Sequence, residues 1–231
     1  MENFFKIEKI AEIRCGFSSK FGIPRQSGLC GSLSAQIIFE PKFRNPDAFR
    51  DLDGFSHIWL IWQFSEAVRE EWSPTVRPPR LGGNKRTGVF ATRSPFRPNP
   101  LGLSCVKLEK IEFTESLGPV LHISGADLLD GTPIYDIKPY IPYADCIPDA
   151  NGGFTGSVEK PTLKVDIGAD IVSRFEDNFL KCVKEIIEQD PRPAYQDNPD
   201  RVYKMNYDNR LITFTVDNKT ATVLSICEEE K

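Results

Sequence analysis

The ten residues FSHIWLIWQF, Phe55 to Phe64, constrain this chain more than any other stretch. Aromatic and β-branched side chains crowd a helix but fit a pleated sheet, so the run predicts a buried strand. It is too short to span a membrane as a helix, and no run of about 18 apolar residues occurs anywhere in the sequence. Further strands are predicted over residues 4–14, 35–39, 86–92, 103–113 and 120–128. Between them lie loops rich in Gly, Ser and Pro, with room for one short helix between Pro41 and Asp51. Strands that follow one another without regular helices disfavour a doubly wound sheet. The tract SPTVRPPRLGGNK cannot be helix interior or central strand, because proline lacks the amide donor and fixes φ. A long loop of this kind in a compact domain is a candidate for substrate contact.

The pattern changes after residue 147. Residues 148–161 (PDANGGFTGSVEKP) read as a linker and Leu163 to Ile167 as a strand. Residues 169–189 read as a single amphipathic helix, with Ile171, Val172, Phe175, Phe179, Val183, Ile186 and Ile187 at three- and four-residue spacing. Residues 211–216 and 220–226 flank Asp217, Asn218 and Lys219 as a hairpin. The expected organisation is a β-rich unit over residues 1–150 and a small α+β unit over 151–231.

At 40% hydrophobic and 27% charged, the 231 residues suit a soluble globular protein with a sizeable core. Met1 to Ile13 carries five charged residues and lacks the apolar core of a signal peptide, so a cytoplasmic protein is expected. The six cysteines are scattered without a C-x-x-C pair and read as thiols of a reducing compartment. With two histidines and no Cys/His cluster, no metal site is expected.

The net charge of −4 is uneven. No acidic residue falls between Glu71 and Glu109, where Arg77, Arg80, Lys85, Arg86, Arg93, Arg97 and Lys107 carry +7 and leave −11 on the rest. Such a strip is either a footprint for a polyanion or a segment neutralised by acidic neighbours in the fold. Fingerprints of nucleotide-binding Rossmann and P-loop folds, of zinc proteases and of serine hydrolases are all missing.

Four segments carry a resemblance. They are FGIPRQSGL with FSHIWLIWQF, the run RPPRLGGNKRTGVFATRSPFRPNPLGLS, the run DLLDGTPIYDIKPYIPYAD, and DPRPAY. Together they resemble the TrmO (TsaA/YaeB) family of tRNA methyltransferases, from about Ile7 to Ile226. The resemblance implies a mainly β protein, a single-sheeted TsaA-like β-barrel with a small α+β C-terminal domain, forming a homodimer. It implies S-adenosyl-L-methionine as cofactor and N6-methylation of threonylcarbamoyl-adenosine in the anticodon loop of threonine tRNA, position 37. The DPRPAY segment is similar to the longer, bacterial-type form.

The same resemblance points to Cys15, Gly16 and Phe17, to Ser56 and His57, to Arg86 and Phe96, and to Ser124, Gly125, Ala126 and Asp127 as cofactor contacts. Relatives often have Ser-Pro where this chain has Cys15 and Gly16. An arginine suits the carboxylate of the methionine moiety, because its planar fork binds a carboxylate bidentately. Arg77, Arg80, Arg93, Arg97, Asn99 and Lys138 are candidates for tRNA, because phosphates supply most nucleic-acid affinity. Phe96 suits either base stacking or a core, His57 either a ligand contact or a core, and Asp130 either chemistry or an Asp-Gly turn.

Methyl transfer from a sulfonium is an in-line displacement, so orientation supplies much of the rate. The nitrogen of a threonylcarbamoyl base is urea-like, with a delocalised lone pair, and its proton must leave before or during attack. A positioned carboxylate or phenol is expected, with Asp130, Asp136 and Tyr140 as candidates. Two other readings compete: a β-barrel that grips RNA without catalysis, and a methyltransferase acting on a small molecule.

Overall fold

The computed structural model describes residues 6–66, 71–78, 85–157, 162–193, 196 and 198–228. Twelve strands are assigned among them. In chain order they are β1 Ala11–Cys15, β2 Ser34–Phe39, β3 His57–Gln63, β4 Thr75–Val76, β5 Thr87–Gly88, β6 Leu101–Thr114, β7 Gly118–Ser124, β8 Pro133–Pro139, β9 Lys164–Ile167, β10 Tyr203–Tyr207, β11 Arg210–Asp217 and β12 Thr220–Glu228. Three α-helices, besides short 3-10 turns, join them among the described residues: α1 Pro142–Asp145, α2 Ala169–Val172 and α3 Asp177–Glu188.

Six strands close a barrel in the order β1-β2-β7-β6-β3-β8. Every pairing is antiparallel, and β1 meets β8 at Ala11 opposite Ile134 to complete the ring. Strand alternation decides which side chains fill it. On β3, Ile58, Leu60 and Trp62 point inward and are buried, while His57, Trp59 and Ile61 face the other side. Ile13, Ile37, Val106, Leu121, Ile123 and Ile134 complete the filling. Burying a side chain such as Leu60 contributes about 1.5–3 kcal/mol over leaving it in water. Such a barrel is packed solid, so a ligand must be held by its loops.

A second sheet, ordered β10-β11-β12-β9, is antiparallel except where β12 meets β9. Helix α3 buries Phe179, Leu180, Val183, Ile186 and Ile187 against it. This core also takes Phe17, Cys30 and Leu33 from the loop between β1 and β2. That loop is fastened at several points. Asp208 N–H donates to the Gly16 carbonyl at 2.8 Å, and Ser32 donates to the Glu185 carboxylate through its amide at 2.9 Å and its hydroxyl at 2.7 Å. At Gly22, φ is +102° and a Cβ would sit 2.5 Å from Met205 sulfur, so only glycine fits that approach.

The expected strands and the closing hairpin are present, with shifted ends. Residues expected to extend β1 as far as position 6 are irregular, and residues 4 and 5 lie outside those described. The expected strand over 86–92 is only Thr87–Gly88. Val89–Ala91 turns into a 3-10 helix, and Thr92 closes it by donating to the Val89 carbonyl from its amide at 3.1 Å and its hydroxyl at 2.8 Å. The expected strand over 120–128 stops at Ser124, because Gly125 has φ +77°. The expected helix over 169–189 is two helices. Ser173 hydroxyl and Arg174 Nε both donate to the Asp170 carbonyl at 3.1 Å, competing with the helical ladder, and Glu176 is extended.

Candidate functional site

One cavity of about 750 Å³ lies where four loop-borne segments meet beside the barrel. The loop after β1 supplies Pro24, Arg25 and Gln26. The end of β3 supplies Trp62, Gln63 and Phe64. The basic loop before β6 supplies Arg93, Phe96, Arg97 and Asn99, and the segment after β7 supplies Asp127, Leu128 and Leu129.

Each wall has a local cause. Pro24 is buried, and Arg25 reaches across to donate to the carbonyls of Asp190 at 3.3 Å and Arg192 at 3.0 Å. Arg192 is itself buried and grips the Asp190 carboxylate at 2.8 and 2.9 Å. Beside Arg25, Gln26 accepts from Arg93. The basic loop is held by its own side chains. Arg97 donates to the Thr92 carbonyl at 3.0 Å, while the Ser94 and Phe96 amides each donate to a neighbouring hydroxyl at 3.3 Å. The segment after β7 is pinned by Gly125, which accepts from Gly28 at 2.8 Å and donates to Leu33 at 2.9 Å.

Asp127 is a half-buried ionisable group of the cavity. Its carboxyl is raised above the ordinary range by burial, against the pull of the Ser104 hydrogen bond, the Asp127 and Ser27 amides and the Arg93 charge. The other described lining carboxylate, Glu66, is exposed and pairs with Lys20 at 3.2 Å.

Of the residues expected from the sequence, the cavity gathers Phe96, Asp127, Arg93, Arg97 and Asn99. The others lie elsewhere. Phe17 is 2% exposed and packs on Tyr207 with ring centroids 5.1 Å apart. Cys15 and Gly16 line a separate, shallower groove with Glu109 and His122. Burial raises the Cys15 thiol to about 11. Ser124 donates to Glu109 at 2.6 Å and Ala126 is buried in the barrel core, while Gly125 serves the backbone fastening given above.

Ser56 hydroxyl lies 2.9 Å from His57 Nδ1, and the His57 ring faces Tyr140 at 6.2 Å. That cluster sits on the other face of β3 from Trp62. Arg86 donates to Thr75 at 3.0 Å in the β4–β5 ribbon. Asp130 accepts from the Cys15 amide at 2.9 Å and lies 3.5 Å from Arg14, with Gly131 at φ +74° completing an Asp-Gly turn. Asp136 pairs with Lys138 at 2.9 Å. Arg77 is exposed, and Arg80 lies outside the described residues.

Sequence reasoning missed Pro24, Arg25, Gln26, Trp62 and Phe64. The signal for the first three was the PRQ triplet inside a Gly- and Ser-rich loop, while Trp62 and Phe64 read only as residues of the aromatic strand. The basic strip also resolves. Among the described residues, none of Arg77, Lys85, Arg86, Arg93 and Arg97 forms a salt bridge with a carboxylate, so these charges remain available to an anion. No helix among the described residues is long and apolar enough to cross a membrane. Among the same residues, no group of three or more His, Cys, Asp and Glu is placed to hold a metal ion.

The chain matches two family models: the tRNA-methyltransferase O N-terminal domain over residues 12–146 and the TrmO C-terminal domain over 162–229. It is 40% identical over 198 residues to the tRNA (adenine(37)-N6)-methyltransferase of Escherichia coli, covering 83% of this chain and 84% of that one. It is 49% identical over 180 residues to a protein of the same name from Eikenella corrodens, covering 76% and 99%. The crystal structure of TrmO from P. aeruginosa superposes with a TM-score of 0.80 at 30% identity, covering 99% of each chain.

Proposed function

This chain belongs to the tRNA-methyltransferase O family and methylates tRNA at N6 of adenosine 37, and we propose that it does so with S-adenosyl-L-methionine held in the 750 Å³ cavity. The observation that carries this reading is the company Asp127 keeps. A half-buried carboxylate, two arginines and an aromatic wall converge on a volume within the roughly 300–1,000 Å³ of small-molecule sites. The donor set fits. Arg93 and Arg97 suit a carboxylate, and Phe96 and Phe64 suit a purine face.

Bound there, the donor supplies an electrophilic methyl group on a positively charged sulfur. The chain does the rest. Trp62, Phe64 and Leu128 exclude water from one side, and Arg25, fixed to the C-terminal unit, holds the loop that closes another. Arg77 and Arg86 beside the β4–β5 ribbon, with Arg80 beyond the described residues, supply positive charge for an anticodon loop, whereas Lys138 on β8 is neutralised by Asp136.

Within that reading the substrate is threonylcarbamoyl-adenosine of threonine tRNA, in the cytoplasm, with residues 1–150 holding the donor and 151–231 bracing the site. The working form is a homodimer. Leu103 lines the cavity yet is 51% exposed, a position that a second copy would cover. Light scattering of the wild type and of Leu103→Glu tests the dimer.

Mass spectrometry of tRNA nucleosides from cells lacking this protein tests the reaction. Loss of one methyl from the threonylcarbamoyl nucleoside is expected, and an unchanged nucleoside profile would refute it. Calorimetry with S-adenosyl-L-methionine tests the cavity. Phe96→Ala should weaken binding about tenfold, in line with the loss of a stacked ring.

A further inference from the structure

Ser104 stands where the barrel alternation calls for an apolar side chain. Its neighbours on the same face of β6, Val106 and Leu108, belong to the core, and Ser104 itself is 0% exposed. A hydroxyl in that place must be bonded. Trp62 Nε1 donates to Ser104 Oγ at 2.9 Å, and Ser104 Oγ lies 2.5 Å from Asp127 Oδ1. An indole N–H is a donor only, so Ser104 oxygen is the acceptor there and its single proton is directed at Asp127. The relay therefore has one direction, from Trp62 through Ser104 to the carboxylate at the cavity wall.

We propose that Asp127 is the catalytic residue that takes the N6 proton, and that Ser104 and Trp62 are positioning residues that hold its carboxylate for the task. This rests on the cavity being the site of methyl transfer. Asp130, Asp136 and Tyr140 do not line that cavity, and Glu66 is committed to Lys20 at its exposed rim. The balance is simple. The N6 lone pair forms the new N–C bond as Asp127 accepts the N6 proton. The electron pair of the breaking C–S bond stays on sulfur. One carboxylate and one sulfonium become one carboxylic acid and one neutral thioether, so the burial of charge falls during the reaction. A carboxylate partly stripped of water is a stronger base than one in solvent, which matches the raised carboxyl of Asp127.

The charged groups around Asp127 come from three elements. They are Lys20 and Arg25 on the loop after β1, Glu66 after β3, and Arg93 and Arg97 on the basic loop. Ser104 and Trp62 are neutral, so removing the Ser104 hydroxyl changes Asp127 without changing net charge. The Ser104 hydrogen bond stabilises the carboxylate, and its loss raises the carboxyl further.

Three measurements test the relay on the full-length protein: calorimetry with S-adenosyl-L-methionine, single-turnover methylation of tRNA against pH at saturating donor, and carbon-detected NMR titration of the Asp127 carboxyl in the ligand-free protein. Asp127→Asn is expected to lower the single-turnover rate at least about 100-fold while donor affinity changes less than about threefold. Ser104→Ala is expected to move both the acid limb of the rate profile and the carboxyl titration to higher pH, by about one unit. Trp62→Phe should move them the same way by less, and Ser104→Thr should restore both. An Asp127→Asn variant that turns over normally, or that merely loses donor affinity and recovers its rate at saturation, overturns the catalytic assignment. A Ser104→Ala variant that is slower with neither midpoint moved overturns the positioning role. If the wild-type protein transfers no methyl to tRNA, the methyltransferase reading falls instead, and the carboxyl titration still decides whether Ser104 governs Asp127.

Discussion

The Arg25 guanidinium donates to the Arg192 carbonyl at 3.0 Å, tying a wall of the cavity to a segment 167 residues further along the chain. Arg25→Ala removes this and the parallel bond to Asp190. Bonds from a charged donor contribute about 1.5–3 kcal/mol when protected, and Arg25 is only partly buried, so the lower end applies. Donor binding should weaken about tenfold by calorimetry, while the melting temperature falls by only a few degrees. Unchanged affinity would detach the C-terminal unit from the site.

Trp62 lies so close over Gly102 that a Cβ on Gly102 would overlap the indole ring. Both residues line the cavity. A glycine in a strand interior marks such an approach. Gly102→Ala must therefore shift the indole and disturb its bond to Ser104. Overpacking of this kind costs about 1–3 kcal/mol, readable as a lower midpoint in urea. Equal stability of Gly102→Ala and wild type would mean that the indole has room to move.

Arg77 is exposed, with no carboxylate paired to it among the described residues. If it meets a tRNA phosphate, Arg77→Ala lowers affinity and reduces the slope of log K against log salt by about 0.7–0.9, one phosphate's share. Filter binding at several salt concentrations measures this. A lower affinity with the slope intact would place Arg77 away from the backbone.

Asp145 accepts from the Ile141 amide at 2.8 Å and from Trp59 Nε1 at 3.0 Å, which together hold its carboxyl below the ordinary range. The sign follows from linkage. A depressed folded value means a contribution fully present above the unfolded value of about 3.8 and lost as the pH falls through the folded one. The Trp59 indole N–H resonance should accordingly hold steady down to about pH 4 and move only below it. Movement between pH 5 and 7 would contradict the assignment.

Much of the barrel was legible because strand patterning is local. FSHIWLIWQF predicted a buried strand, and the structure forms β3 there with Ile58, Leu60 and Trp62 buried on one face. The helix over 169–189 was overdrawn because periodicity is blind to a backbone competitor such as Ser173, whose hydroxyl takes the Asp170 carbonyl. The basic strip was visible as a charge excess. Its availability was not, since a salt bridge to a distant carboxylate leaves no mark in the sequence. Five of the expected contacts fell within one cavity, and most others serve turns, packing or surface pairs. Asp130 shows why. The Asp-Gly pair that signals a turn looks the same in sequence whether or not its carboxylate faces a ligand.

By itself, the sequence determined the class of structure, the run of strands, the amphipathic face of α3 and the location of positive charge, all set by neighbours a few residues apart. The tertiary structure decided which loops share a cavity. Pro24 to Gln26, Phe96 and Asp127 are scattered over a hundred residues and meet only because the barrel closes and because the loop after β1 is anchored in the C-terminal core. The burial that raises Asp127 and the bonds that aim Ser104 at it come from strands brought together by long-range pairing, and no local spacing encodes them.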